Sequence, residues 1–274
     1  MKFCCITPCL NAEMYLKQTM LSVLSQGAWD EGHVLYYRIQ DGGSSDGTIE
    51  IANHVATQYH NGRSVHIQIE SVEDDGMYDA LAIAMDEAPA ADVYHYLNAG
   101  DLVAPAAASS VARAMAREGV DWVTGMQVVI NENDAVIRAA LPFDYDARLF
   151  HAGVYGRFLP HLQQESTFWS NRLQHAIKLE ALKTYRLAGD QFLWSSFFRI
   201  APLYTVRAFL GSFRCHEGQL SEQFASEYLA EAKGLWHSLP FSCYRKPAYH
   251  LLIHLFSDNI RARASSRIIE DGAE

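Results

Sequence analysis

The residues able to do chemistry in this chain are mostly acidic, and most stand where an apolar run stops. Asp41-Gly42-Gly43 follows the run Val34 to Gln40, Glu73-Asp74-Asp75 follows Val65 to Glu70, and Asn98-Ala99-Gly100-Asp101 follows Val93 to Leu97. Pro8 to Asn11 follows a first run, Lys2 to Thr7. Two further carboxylates have different company. Glu165 sits among amides and aromatics in Gln163-Gln164-Glu165-Ser166-Thr167-Phe168-Trp169, and Asp190 heads an apolar helix in Ala188-Gly189-Asp190-Gln191-Phe192-Leu193-Trp194. A carboxylate such as Asp41 can accept a hydrogen bond from a base N–H, for instance the imide of uracil. It can equally close a turn, since Asp and Gly are ordinary turn formers. Gly42 and Gly43 remove side-chain bulk, so the backbone can approach a flat ring or a ribose. Asp101 can hold Mg2+ or Mn2+, hard cations that take oxygen ligands and keep waters and phosphates in their shell, or it can cap a helix.

These groups need elements to gather them. Leu16, Met20, Val23 and Leu24 recur at helical spacing behind Asn11, which can cap that helix. Ile49, Ala52, Val55, Ala56 and Tyr59 mark a second helix, and Met77 to Glu87 a third. Pro105 opens a fourth that runs to about Glu118. Trp122 to Ile130 and Ala135 to Ala140 flank Asn131-Glu132-Asn133-Asp134 and predict a β-hairpin. Strands alternating with helices predict an α/β fold, a mostly parallel Rossmann-like mixed sheet covered on both faces. Ligands of such sheets bind outside the carboxyl ends of the strands, so four successive polar strand ends point to one crevice. From about residue 216 the pattern turns helical, with candidate helices at Gln219 to Ser238 and about Pro247 to Ser257. The expected division is an α/β domain over 1–215 and a C-terminal helical extension over 216–274.

Composition removes several classes. The net charge of −10 argues against nucleic acid as a partner, since phosphate binding needs a basic face. An acidic protein can still bind a small diphosphate if a divalent cation neutralises it. No 18-residue apolar run occurs, and the first apolar run reads as a buried strand rather than a leader, so a cytoplasmic protein is expected. The five cysteines are odd in number and lack zinc spacing, which fits reduced thiols used as small hydrophobes. Near the C-terminus, Leu251, Leu252, Ile253, Leu255 and Phe256 mix with Arg245, Lys246, Arg261, Arg263 and Arg267. That mixture suits peripheral contact with an anionic membrane at the inner face, or a helix docked on protein. A dehydrogenase would show Gly-x-Gly-x-x-Gly after the first strand. A sugar-1-phosphate nucleotidyltransferase would show a Gly-rich basic loop there, and Pro8-Cys9-Leu10-Asn11 is neither.

The segments ITPCLNAEMYLKQTMLSVLSQ, IQDGGSSDGTIEIA, EDDGMYDAL, YHYLNAGD, QQESTFW and LAGDQFLW occur in that order over roughly residues 3–216. Through them the chain resembles the family-2 glycosyltransferases, nucleotide-diphospho-sugar transferases of the A-type fold. The resemblance implies a hexosyltransferase-like enzyme that moves a sugar, with inversion, from a nucleotide-diphosphate donor, UDP above all, to a saccharide or lipid-linked acceptor. It implies Mg2+ or Mn2+ on the diphosphate and a place in bacterial polysaccharide or glycolipid assembly. It puts Pro8 and Asn11 near the nucleotide, Asp41 with Gly42 at the base, Asp74 on the nucleotide side and Asp101 on the cation. Asp190 matches the family's general base, and Glu165 is assigned to sugar hydroxyls or, as the other candidate, to the base. In Phe213-Arg214-Cys215-His216, the resemblance sets His216 on the metal or a phosphate oxygen and Arg214 on a phosphate. Trp169 and Trp194 suit either a sugar face or the core. The chain departs from the family at Asn98 and Gly100, where earlier acidic residues of the metal motif are missing, at Gln40, and at Ala82-Ile83-Ala84, which lacks a family lysine. These departures keep open a module that binds a nucleotide sugar without turnover. Replacing Asp41 by alanine is expected to weaken nucleotide binding and leave folding nearly unchanged.

Overall fold

The computed structural model of the chain describes residues 1–59, 64–142, 144–216, 223–237 and 267–271. Its first half is a run of β–α units: β1 (Lys2–Cys9), α1 (Leu16–Leu24), β2 (Val34–Asp41), α2 (Thr48–Tyr59), β3 (Val65–Ser71), α3 (Met77–Asp86) and β4 (Val93–Tyr96). A short β5 (Leu102–Val103) and α4 (Ala107–Met115) follow. Then come β6 (Trp122–Thr124), β7 (Gln127–Ile130), β8 (Val136–Ala140), α5 (Ala147–His151), β9 (Thr167–Ser170), α6 (Asn171–Gln174), α7 (Leu179–Leu182) and α8 (Gly189–Phe198). The described residues end with β10 (Tyr204–Val206), β11 (Gly211–Arg214), α9 (Ala225–Lys233) and β12 (Ile268–Ile269).

The main sheet has the order β12-β10-β6-β9-β4-β1-β2-β3. β1 pairs in parallel with both β2 and β4, and β9 runs antiparallel between β4 and β6. The sheet is therefore mixed and mostly parallel, as the alternating pattern predicts. β1 is buried after its first residue because both sheet faces are covered, which is why it reads as a continuous apolar run. Its side chains alternate between two cores. Cys4 and Ile6 join α3 and the aromatic group Trp122, Trp169, Trp194 and Phe197. Phe3, Cys5 and Cys9 join α1, α2 and α4. Burial pushes the Cys4 thiol up to about 12, in keeping with cysteines used as small hydrophobes.

The predicted hairpin is shorter than the sequence suggests. Trp122–Ile130 splits at Gly125-Met126: β6 stays in the main sheet, while β7 crosses into a second sheet of order β5-β11-β7-β8. Backbone bonds from Gly125 N to Ser166 O and from Met126 N to Ala208 O fix the crossing point. Only β7 and β8 form the hairpin. Asn11 does not cap α1. A turn at residues 12–15 intervenes, the N-cap is Tyr15, and Asn11 takes a left-handed φ of 49°. Past residue 216 the helical pattern is realised in α9, whereas β12 was not expected. Two residues are too few for a period-2 pattern, and β12 exists because β10 offers it a parallel edge. The predicted helix near Pro247, Cys243 and the basic residues 245–263 lie outside the described residues. Among the described residues no helix is long and apolar enough to cross a membrane.

The second sheet brings distant segments to the carboxyl edge of the first. Gly211 pairs with Val103, and β11 also runs beside β7. A Cβ on Gly211 would run into the carbonyl of Glu165, so a glycine is required where the small sheet meets the turn that carries Glu165. Gly211→Ala is expected to destabilise the protein by about 1–3 kcal/mol, the usual range for overpacking a buried contact. Urea unfolding compared with wild type measures it.

Candidate active site

Three strand ends lie side by side at one edge of the sheet. Asp41, the last residue of β2, is fully buried, and its own loop uses its carboxylate. Oδ2 accepts from Gly43 N at 3.1 Å, Ser44 N at 3.0 Å and Ser71 Oγ at 2.6 Å; Oδ1 accepts from Ser44 Oγ. Burial opposes ionisation of Asp41, but these hydrogen bonds outweigh it and hold the carboxyl below its ordinary value. Asn11 is tied to the same loop: its N–H donates to Ser44 Oγ at 2.7 Å, and its Oδ1 accepts from Ser45 N at 3.0 Å. Pro8 is buried in β1 and faces Gln40 in the register. Asp74, beyond β3, lies against Gly42: a Cβ there would stand 2.6 Å from Asp74 Oδ2, so glycine admits the close approach. Burial raises the Asp74 carboxyl, and the charges of Asp79, Asp41 and Asp75 add to the rise.

The second feature is the turn after β4. Asp101 is buried, and its Oδ1 accepts the backbone N–H of Arg214 at 2.9 Å. Thr19 of α1 staples the turn, donating to Asp101 O at 2.9 Å and accepting from Gly100 N at 2.9 Å. Burial lifts the Asp101 carboxyl to about 7 against the opposing N–H and charge of Arg214. The Arg214 side chain does not project toward a phosphate as the resemblance implied. It is fully buried and donates to Gly100 O at 2.7 Å, Asn131 O at 3.2 Å and Gln18 Oε1 at 2.9 Å. It also pairs with Asp134 at 2.7 Å and covers the Tyr15 ring at 4.8 Å. Its donors face inward because a buried guanidinium must be satisfied. The His216 ring lies 5.2 Å from the same Tyr15 ring.

The third feature holds Glu165 and Asp190. Glu165 sits in a 3-10 turn (Gln164–Ser166) before β9, buried, with Oε1 lacking a hydrogen-bond partner among the described residues. Its carboxyl is pushed well up by burial and by the charges of Asp101 and Asp190, which marks the three carboxylates as one electrostatic group. Asp190 is not the N-cap of α8; Ala188 is. Asp190 lies in the first turn, where Oδ1 accepts from Gln191 N at 2.7 Å and the Tyr228 hydroxyl lies 3.0 Å from both carboxylate oxygens. Burial raises it to about 6, opposed by those hydrogen bonds. Trp169 and Trp194 are core residues, packed edge to face 6.0 Å apart.

These residues suit a divalent cation as far as one carboxylate can. Asn98 Oδ1, in the same turn as Asp101, is a buried acceptor without a donor among the described residues, and an amide oxygen beside a carboxylate is a donor set that fits a hard cation. Among the described residues no three His, Cys, Asp or Glu side chains converge as a metal site, so the remaining ligands would come from diphosphate and water.

A mostly parallel sheet with carboxylates gathered at its carboxyl edge and a small second sheet beside them is the frame of an A-type glycosyltransferase. The chain belongs to glycosyl transferase family 2, whose sequence profile matches residues 4–180. The match ends before Asp190. No match was found among curated protein sequences. Among solved structures the fold is similar to that of a fragment of S. aureus TarS in complex with UDP-GlcNAc (15% identity, TM-score 0.58, 96% of this chain and 71% of that one). It is also similar to the mannosyltransferase PcManGT from Pyrobaculum calidifontis in complex with GDP-Man and Mn2+ (14%, 0.57, 96% and 73%). A third is glucosyl-3-phosphoglycerate synthase from Mycobacterium tuberculosis in complex with Mn2+, UDP and phosphoglyceric acid (16%, 0.54, 88% and 80%).

The geometry corrects the folding expectation for Asp41. Asp41→Ala strands three donors of the loop and the Ser71 hydroxyl of β3, and a hydrogen bond to a charged acceptor carries about 1.5–3 kcal/mol. The expected loss is about 3 kcal/mol or more by chemical denaturation, with Asp41→Asn milder. Since the folded value lies below the unfolded one, the contribution is present above the unfolded value of 3.8 and fades as pH falls through the folded one. The gap between wild type and Asp41→Asn should therefore narrow on acidification.

Proposed function

We propose that this glycosyltransferase moves a sugar from a nucleoside-diphosphate donor, UDP in the first instance, to a hydroxyl of a saccharide or lipid-linked acceptor, with inversion at the anomeric carbon. The observation that carries the reading is that Asp101 lies in the turn after β4, that Gln164 beside Glu165 donates to Tyr96 O at the end of the same strand, and that Gly189 beside Asp190 packs on Tyr78 just beyond β3. In this reading residues 1–215 bind the donor and do the chemistry, and residues 216–274 are an extension.

Asp190 takes the proton of the acceptor hydroxyl as its oxygen bonds to the anomeric carbon and the bond to the diphosphate oxygen breaks. A single displacement of this kind inverts the centre, and the base must stand across the sugar from the leaving group. Burial suits Asp190 to the task, since a carboxyl raised to about 6 is a stronger base than an exposed one and is still ionised at neutral pH. Glu165, which burial favours in its protonated form, donates a hydrogen bond to a sugar hydroxyl. Asp101 would hold a divalent cation that offsets the charge of the leaving diphosphate, and His216, beside Tyr15, is assigned to the same end. Pro8, Asn11, Gly42 and Asp74 line the nucleotide side, and Asp41 shapes that rim by anchoring its loop. UDP and UDP-GlcNAc in the named relatives support the choice of donor, while GDP-Man and Mn2+ in another support the diphosphate and the cation.

Donor hydrolysis with Mn2+ against EDTA tests the proposal. Asp190→Asn should lose about 10^2–10^4-fold in turnover, the range for general-base catalysis, and retain donor binding. Wild-type activity should fall as pH drops through about 6, because Asp190 must be ionised to act. Asp101→Ala should abolish the Mn2+-dependent rise in melting temperature seen with nucleotide sugars. A wild-type protein that binds nucleotide yet shows no metal-dependent turnover would overturn the reading in favour of a binding module.

A further inference from the structure

Helix α9 carries two side chains that converge on the start of α8. The Tyr228 hydroxyl bridges both oxygens of Asp190 at 3.0 Å. Glu231, three residues on and so on the same helix face, accepts the backbone N–H groups of Arg186, Leu187 and Ala188 at 2.8, 2.8 and 2.6 Å. Those three donors belong to the loop that delivers Asp190. The His161 ring packs edge-on to the Tyr228 ring at 5.3 Å. Beyond the helix, His237 N donates to His151 O at 2.7 Å. A surface helix ordinarily docks through an apolar stripe, but in α9 only Ala232 is buried. Polar bonds to Asp190 and its loop therefore define where α9 sits.

We propose that Tyr228 is a positioning residue for Asp190 and that Glu231 is the clamp that seats it, which makes α9 part of the apparatus that presents the base. The inference rests on Asp190 being that base. A carboxylate at the head of a helix can rotate about its side-chain bonds. One phenolic proton shared between both oxygens fixes its plane and favours the ionised form. Glu231 acts in the opposite sense on charge, since a second carboxylate nearby disfavours ionisation. The other groups facing Asp190 are Glu165 in the 3-10 turn, Tyr78 of α3 and Tyr96 of β4. α9 thus brings one influence of each sign.

The opposed signs make the test. Carbon-13 carboxyl titration of the full-length, ligand-free protein follows Asp190, its resonance identified by its loss in Asp190→Asn. Tyr228→Phe should raise the Asp190 midpoint by about one pH unit, the scale of one hydrogen bond to a charged acceptor. Glu231→Gln, whose one carbonyl oxygen can still accept from Leu187 and Ala188 while the bond from Arg186 and the charge are lost, should lower it. A packing role alone would not move the two variants in opposite directions. No shift in Tyr228→Phe, or shifts of the same sign, overturns the proposal. Should Tyr228→Phe fail to fold, an unmoved Asp190 in Glu231→Gln overturns it alone. With UDP-GlcNAc and Mn2+ as the probe, Tyr228→Phe should also lower kcat about tenfold with KM unchanged. If Asp190→Asn turns over like wild type while the opposed shifts persist, the base assignment fails and the positioning contact stands.

Discussion

The buried Arg214 is the contact on which the site depends. Its backbone N–H holds Asp101, its Nε holds the carbonyl of Gly100, and its remaining donors reach Asn131, Gln18 and Asp134. A guanidinium can be buried only when nearly every donor is matched, and here the partners come from α1, the turn after β4 and the β7–β8 hairpin. One side chain thus joins the two sheets at the point where the acidic turn leaves the first. Removing it would leave Asp134 without its cation and the carbonyl of Gly100 without its donor, while the backbone N–H to Asp101 would remain. Arg214 is better understood as the keystone of the acidic turn than as a partner for a substrate phosphate.

Around that keystone the acidic side chains are sorted by environment. Asp41 and Asp74 stand close together, yet hydrogen bonds hold the first ionised while burial and three neighbouring carboxylates raise the second. Asp101, Glu165 and Asp190 are all raised, chiefly by loss of water. Carboxyl groups whose environments push them apart take different roles in one reaction, one kept as an acid and another as a base. Net charge −10 and two buried acids, Asp101 and Glu165, make this edge of the sheet unfavourable to a bare anion.

The alternation of strand and helix in the first hundred residues was legible because each β–α unit carries its own period, and β1 to β4 and α1 to α4 lie close to where the pattern puts them. The polar strand ends were legible for the same reason: a parallel sheet carries all its carboxyl ends to one edge. The small sheet was not. β5 and β11 are short, and they pair only because Gly211 can approach Glu165. Residue type alone could not separate the jobs of Asp41 and Arg214, because the competition between inward and outward partners is decided by burial. Tyr228 and Glu231 left no signal either. They reach Asp190 and its loop across about forty residues of chain, and nothing in local spacing reports a contact made at that separation.

Strand β12 has a consequence for how the fold opens. Its two residues lie about sixty positions beyond β10, a stretch that includes β11 and α9, and the seam itself consists of two parallel pairings and the burial of Ile269. Surface ion pairs flank it: Arg207 with Glu270, Arg113 with Asp271 and Arg267 with Asp144. Concentrated salt weakens such pairs while leaving the apolar interior intact. The seam at β10 should therefore part well before the rest of the molecule melts, baring an unpaired strand edge. At high ionic strength self-association through that edge would precede global unfolding, and the tolerance of the enzyme to brine would be governed at the border of its sheet rather than in its interior.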